Sequence, residues 1–398
     1  MLVYWLWLSL LPKVPLMQKL LLLQALRDPE EIYLAHREVT EQIEGLTPQT
    51  LEALECKELA PARKILKQCS EKSISILTYG DAAYPGKLKR IGQPPLVLYY
   101  RGFLPDWDSR PVIGIVGTRR ASSYGLSIAG RLGGEIAAGG GLVVSGGAAG
   151  IDSQALAGAM QAGKRVVAVL GFGADVCFPA QNRQFFADIA RTGCLITEYP
   201  PETPAYKWNF LARNRIISGL SDGIVVVEAP EKSGALNTAA HAADQGRDLF
   251  AVPGNAQYGG CAGSNALLQQ GALPAESGWD VLKEYACLYP DVVCASPRRV
   301  PSHPAPVPPA PAKPENTQPC VTEKFIDNPE KSQYSVIETP ELSPEEQEVF
   351  RLLTGTPVPV DQVIARSGLP TSRVLSVLTM LAMKGVAVNH PGKRVSRK

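Results

Sequence analysis

Residues Val112–Gly125, VIGIVGTRRASSYG, join an apolar β-branched run to a glycine, two arginines and a row of hydroxyl side chains. A strand ending in Gly117-Thr118-Arg119 just before a helix aims backbone N–H groups and the positive helix end at one point. That arrangement suits an anion, most often a phosphate. The Arg119 guanidinium adds a planar, permanently charged fork for phosphate oxygens. Three similar segments follow. Ser145-Gly146-Gly147-Ala148-Ala149-Gly150-Ile151-Asp152 again leaves a strand and opens a helix, with glycines that permit close backbone approach. Gly171-Phe172-Gly173-Ala174-Asp175 leads to Phe178-Pro179-Ala180-Gln181-Asn182, and Ser233-Gly234-Ala235-Leu236-Asn237-Thr238 follows a further strand. A single glycine turn serves packing as readily as binding. Four of them on one sheet, one carrying an arginine, point to a shared anion site.

The segment Lys207–Arg215, KWNFLARNR, sets Lys207, Arg213 and Arg215 among Trp208, Asn209, Phe210 and Asn214. Cations interleaved with aromatics suit a single nucleic-acid strand, the cations meeting phosphates and the rings stacking on bases. The same pattern also fits Trp208 and Phe210 in a core with the arginines bracing a sheet. Lys207 is the better candidate for a direct phosphate contact. The candidate site is therefore Gly117, Thr118, Arg119, Ser145, Gly146, Gly147, Lys207, Asn209, Phe210, Arg213, Asn214, Ser233 and Gly234.

Other chemistries lack their residues. There is no GxxxxGK[ST] loop, and Gly171-Phe172-Gly173 lacks the third glycine of a dinucleotide site. The four histidines are 36, 241, 303 and 390, too few and too scattered for a Ser-His-Asp arrangement. His241 reads as a polar helix residue rather than a general base. No metal-ligand spacing occurs, and neither a cofactor nor a catalytic residue is expected.

The elements that must hold these loops are legible. From Ile74 to about Pro290, short β-branched runs (Ile113–Val116, Leu142–Ser145, Val166–Leu170, Ile224–Glu228, Leu249–Pro253) alternate with Ala/Gly-rich stretches. The latter include Tyr124–Ala138, Asp152–Ala162 and Asn237–Gln245. Such alternation predicts βαβ units in an α/β, doubly wound, mostly parallel sheet of the extended Rossmann kind, with ligands beyond the strand carboxyl ends. Residues 1–70 read as a small helical module, with helical spacing in Leu16–Leu26 and Ile32–Val39 and a helix start at Thr47-Pro48. Residues 295–340 hold 11 of the 34 prolines and read as a linker. Residues 341–398 read as a winged helix-turn-helix: helices at Gln347–Leu353, Val360–Arg366 and Thr371–Lys384, a turn at Ser367-Gly368-Leu369, then a β wing in Gly385–Lys398.

With 398 residues, 45% hydrophobic and 20% charged, the chain is long enough for two or three globular domains. A net charge of +2 means that nucleic-acid affinity must come from local patches. The eight cysteines form no CxxC pair and read as reduced thiols of a cytoplasmic protein. The apolar opening MLVYWLWLSLL is short and closed off by Pro12-Lys13-Val14-Pro15, which argues against a signal peptide or membrane span.

VGTRRASSYG, SGGAAGID, GKRVVAVLGFGADVCFPAQNRQF, TEYPPETP, RNRIISGLSDGIVVVEA, KSGALNTA and QGRDLFAVPG occur in the order seen in the DNA-processing protein A (DprA/Smf) family, which residues 75–275 resemble. The resemblance implies a homodimeric, non-enzymatic protein that binds single-stranded DNA and helps load the RecA recombinase during natural transformation. It implies phosphate-binding roles for Arg119, Lys207, Ser233 and Gly234. Three positions depart from the family pattern. Ala149 stands where an arginine is common in the SGxARGID loop, and Leu156 where a histidine is often found. Pro12-Lys13-Val14-Pro15 replaces the PGIG-like turn of a helix-hairpin-helix, removing a backbone amide nest. A structural or partner-binding role is therefore expected for the N-terminal module.

Two other readings compete. The sheet also resembles that of lysine-decarboxylase-like phosphoribohydrolases, which would make the chain a nucleotide-processing enzyme. His241 then falls where those enzymes carry a catalytic glutamate. A duplex-reading regulator would need polar side chains on Thr371–Lys384, yet Val374, Leu375, Val377, Leu378 and Leu381 read as core. Only Thr371, Ser372, Arg373 and Ser376 are left for base edges.

Overall fold

In the computed structural model the described residues are 1–293 and, with gaps, 344–397, falling in two compact units. The expected linker at 295–340 lies outside them. The first unit is built on a nine-stranded sheet: β1 (Ser75–Thr78), β2 (Val97–Gly102), β3 (Val112–Val116), β4 (Leu142–Ser145), β5 (Val166–Val169), β6 (Cys194–Thr197), β7 (Gly223–Val226), β8 (Asp248–Ala251) and β9 (Leu273–Pro274). The strand order is β1-β2-β6-β5-β4-β3-β7-β8-β9. From β6 through β9 the pairings are parallel, and β1 and β2 add an antiparallel edge. The expected mostly parallel, doubly wound sheet is what forms.

The β-branched runs form strands because both faces are covered, so no residue needs to be polar. In β3, Ile113 and Ile115 face one core with Leu132, Ile136 and Leu156, while Val112 and Val116 face the other with Ile216, Ile217 and Leu220. On the first face, helices Ser123–Ala138 and Ile151–Gln161 pack backbone to backbone. A Cβ on Gly158 would strike the Gly130 carbonyl, so glycine sets that spacing. Leu156, the departure from the family histidine, is fully buried in this core.

The chain leaves β3 toward one face of the sheet and leaves β7 toward the other, where Gly234–Asp244 packs. Since β3 and β7 are neighbours, the strand order reverses between them. A crevice opens there beyond the strand carboxyl ends.

The N-terminal helices were expected as a separate module, but their core is continuous with the sheet. Trp5, Leu6, Trp7, Leu8, Leu22 and Ile32 cluster with Leu96, Val97 and Tyr99, and Lys72 pairs with Asp175 (2.6 Å) and Glu202 (2.7 Å). The apolar opening is therefore a nine-residue helix, Leu2–Leu10, with Trp5, Leu6, Trp7 and Leu8 buried. Among the described residues no helix is long and apolar enough to cross a membrane. Leu16–Leu26 is helical as predicted, whereas Ile32–Val39 breaks at Ala35 into helices Pro29–Leu34 and Arg37–Glu41.

In the second unit, helices Pro344–Leu352 and Val360–Ser367 are followed by a Gly368 turn at φ +65°. A three-stranded sheet completes it: β10 (Val358–Pro359), β11 (Ala387–His390) and β12 (Arg394–Arg397). Val374, Val377, Leu378 and Leu381 are buried, as predicted for the third helix. Thr371, Ser372, Leu375 and Ser376 lie outside the described residues.

Candidate functional site

The loop after β3 begins at Gly117, which has no room for a side chain: a Cβ there would lie 2.5 Å from the Ile151 side chain. Thr118 donates its N–H to the Glu228 carbonyl (2.8 Å) and accepts from the Ile151 N–H (3.3 Å). This pins the loop between the ends of β7 and β4. The exposed Arg119 follows, its guanidinium carbon 5.0 Å from the Phe210 ring centroid. The guanidinium is thus held over an aromatic face by a cation–π contact.

The helix end does not serve the anion as expected. The Glu228 carboxylate, almost fully buried, accepts the Ser122 N–H (3.0 Å) and the Ser122 hydroxyl, while Ser122 Oγ accepts the Gly125 N–H (3.0 Å). The N-terminus of Ser123–Ala138 therefore already holds its negative charge, contributed by the chain just past β7.

The cleft at the reversal point has a volume of about 480 Å³. It is lined from the first loop by Gly117, Thr118, Arg119 and Arg120, and from the second by Ala148 and Asp152. Helix Lys207–Leu220 contributes Phe210, Leu211, Arg213 and Asn214; the β7 loop contributes Lys232, Ser233, Gly234 and Ala235. Four cations thus line it against one acid, Asp152. Burial pushes the Asp152 carboxyl up, against the pull of Arg213 and of the Ala148 and Gly117 N–H groups. Burial pushes the Arg213 guanidinium down to about 10, which leaves it charged at neutral pH.

Of the sequence candidates, Gly117, Thr118, Arg119, Phe210, Arg213, Asn214, Ser233 and Gly234 come together here, while Ser145, Gly146, Gly147, Lys207 and Asn209 do not line the cleft. The expectation of direct phosphate contact is corrected for the buried ones. Ser145 is fully buried and gives its hydroxyl to the Ile115 carbonyl (2.6 Å). Gly146 and Gly147 are buried at the start of the second loop. A Cβ on Gly147, at φ +66°, would lie 2.8 Å from the Phe186 ring. Asn209 is buried on the inner side of its helix. Arg213 is also spent internally: it donates to the Gly146 carbonyl (2.8 Å), to the Val169 carbonyl and to Asn214 Oδ1 (3.3 Å). Asn214 in turn donates to the Gly234 carbonyl (3.2 Å) and Asn237 Oδ1 (3.1 Å), tying the helix to the Ser233-Gly234 turn.

KWNFLARNR is the opening of an α-helix, so its residues do not share a face. Lys207, Trp208 and Leu211 turn outward; Asn209 and Arg213 turn inward. Arg215 forms a bidentate pair with Glu198 (2.8 and 2.6 Å) and braces the sheet. The third glycine segment supports the site from below: Phe172 and Phe178 pack on Phe210 at 6.2 and 5.9 Å between ring centroids. His241, half-buried on Gly234–Asp244, is outside the cleft lining, and burial holds its imidazole below the ordinary histidine value. Sequence reasoning does not single out Lys232 or Glu228. Lys232 carries a weak signal as a cation abutting a glycine turn, and Glu228 looks like any residue at a strand end.

Comparison with known proteins follows the same boundaries. The family described as DNA recombination-mediator protein A matches residues 75–286, and the DprA winged helix domain matches residues 338–393. DNA processing protein DprA of Bacillus subtilis (strain 168) is 40% identical over 221 residues, covering 56% of this chain and 74% of that protein. Protein Smf of Synechocystis is 32% identical over 347 residues, covering 84% and 83%. The X-ray structure of DprA from Streptococcus pneumoniae superposes with a TM-score of 0.62 at 32% identity, covering 71% of this chain and 96% of that one. A Helicobacter pylori DprA structure, described for its single-stranded DNA binding mode, superposes at 0.50 with 28% identity, covering 55% and 99%. A match over more than half the chain, with curated relatives covered over most of their length, leaves one assignment: this is a member of the DNA recombination-mediator protein A (DprA/Smf) family.

Proposed function

We propose that the chain binds single-stranded DNA by its phosphodiester backbone along the cleft between β3 and β7, without catalysing a reaction on it. The observation that carries this reading is the convergence of Arg119, Arg120, Lys232 and buried Arg213 on one open cleft. Arg119 is the principal clamp, since its guanidinium is exposed yet held over Phe210. A phosphate there receives charge-assisted donors of fixed geometry. Asp152, the one acid among the described lining residues, accepts from the Ala148 and Gly117 N–H groups, which ties it to the loops of the scaffold. Family membership supports the rest of the proposal: a homodimer that protects incoming DNA and assists RecA loading in natural transformation and recombination, with the winged helix as an accessory.

Fluorescence anisotropy with labelled single and double strands, across a salt series, tests the cleft. Arg119→Ala should weaken single-strand binding by about 1.5–3 kcal/mol and lower the log–log salt slope by about 0.7. Unchanged affinity in that variant, preference for duplex, or release of adenine from AMP would each overturn the reading.

A further inference from the structure

We infer that Trp208 is a base-stacking platform for unpaired nucleobases of a strand leaving the cleft, an inference that rests on the single-strand reading above. Two aromatics stand in KWNFLARNR, and the fold treats them differently. Phe210 lines the cleft, with the Arg119 guanidinium over its ring at 5.0 Å and Phe172 and Phe178 packed around it. Trp208 turns outward and is 55% exposed. Its ring lies parallel to that of Tyr206, with centroids 4.7 Å apart and planes 7° apart.

That stack has two consequences. Tyr206 occupies the position just before the helix, so the pair holds the indole in one orientation rather than leaving it to rotate freely. A flat ring already fixed from one side costs little further entropy when a base lands on it. Continuity with the cleft names the occupant. Leu211, three residues on and therefore on the same side of the helix, is 52% exposed and lines the cleft itself. A strand whose phosphate sits at Arg119 passes Leu211 and then meets the indole. Stacking needs only a π-face, so the platform accepts any base and suits sequence-independent binding.

The experiment compares oligothymidylates of about 4 and about 15 nucleotides with full-length wild type, Trp208→Ala, Trp208→Phe and Arg119→Ala, and repeats the long strand with abasic units. Trp208 is the one exposed tryptophan, the others being buried or partly buried, so the long strand should quench fluorescence in wild type. Trp208→Ala should lose roughly five-fold or more in affinity for the long strand and under about two-fold for the short one. Trp208→Phe should restore most of the loss, and the abasic strand should abolish the difference between variants. Equal affinities of Trp208→Ala and wild type for the long strand, with Arg119→Ala impaired, would overturn the platform while leaving the cleft intact. An equal loss on both lengths with a lowered melting temperature, or a changed oligomeric state at unchanged affinity, would overturn it as well. Failure of Arg119→Ala to weaken either strand would instead remove the reading beneath it.

Discussion

Replacing Glu228 with alanine tests the claim that the first phosphate-like helix end is occupied from within. Its carboxylate accepts the Ser122 N–H at 3.0 Å and the Ser122 hydroxyl, at the positive end of a 16-residue helix. Hydrogen bonds to a charged group contribute about 1.5–3 kcal/mol, and a charge at a partly buried helix end about 0.3–2 kcal/mol. Relief of carboxylate desolvation offsets part of that sum. The net loss for Glu228→Ala should be about 2–3 kcal/mol, a drop of roughly 3–5 °C for a unit of this size. Glu228→Gln keeps an acceptor for the Ser122 N–H but forfeits the charge and the acceptor of the Ser122 hydroxyl, so about 1–2 kcal/mol should be lost. All five tryptophans (5, 7, 107, 208 and 279) lie in the first unit, so urea unfolding followed by tryptophan fluorescence reads that unit selectively. A Glu228→Ala variant within about 0.5 kcal/mol of wild type, or a Gln variant as unstable as the alanine one, would refute this account of the helix end.

Three further outcomes follow from the geometry. Gly147→Ala should destabilise by about 1–3 kcal/mol in urea unfolding, because φ is +66° and the Phe186 ring is in the way. Gly234→Ala, with nothing within 4 Å of its Cβ, should fold as wild type and show any defect only in strand binding. Lys19 is buried against the Ser9 carbonyl (2.7 Å), and burial pushes its ammonium down to about 8. The unfolded chain then holds more protons than the folded one from about pH 8 to 10.4, so stability from this group rises with pH across that window. Lys19→Met should flatten the rise in unfolding free energy measured between those limits.

The scaffold was legible for a definite reason. Strands buried on both faces are short apolar runs rich in β-branched residues, and Val112–Val116, Leu142–Ser145 and Val166–Val169 are of that kind. What failed were side-chain directions within KWNFLARNR. Read as a string it alternates cation and ring. Wound at 3.6 residues per turn, it sends Arg213 and Asn209 inward and Trp208 outward. Nothing local to the segment marks Arg213 as the buried one, because its partners Gly146 and Val169 come from the loop after β4 and from β5. The N-terminal helices failed as a separate module for a similar reason: their apolar stripe is completed by Leu96, Val97 and Tyr99, beyond any boundary drawn near residue 70.

Sheet order also bears on what kind of anion the proposed site suits. Because β7 lies beside β3, the residue two past its end falls at the start of the helix that follows β3, and Glu228 occupies it. Two of the backbone amides at that helix end, those of Ser122 and Gly125, are thereby engaged. In the proposed reading, side chains on the cleft wall do the binding: Arg119 and Arg120 from one loop, Lys232 from another. A phosphate gripped by exposed guanidinium and ammonium groups keeps much of its hydration and can shift by an atom or two without losing its partners. A nest of backbone N–H groups, by contrast, fixes one phosphate in one place. A free nucleotide is best held by the second arrangement, whereas a polymer that must be bound at any register is best held by the first. In the proposed reading, Arg119 over Phe210, beside a helix end already met by Glu228, suits the polymer.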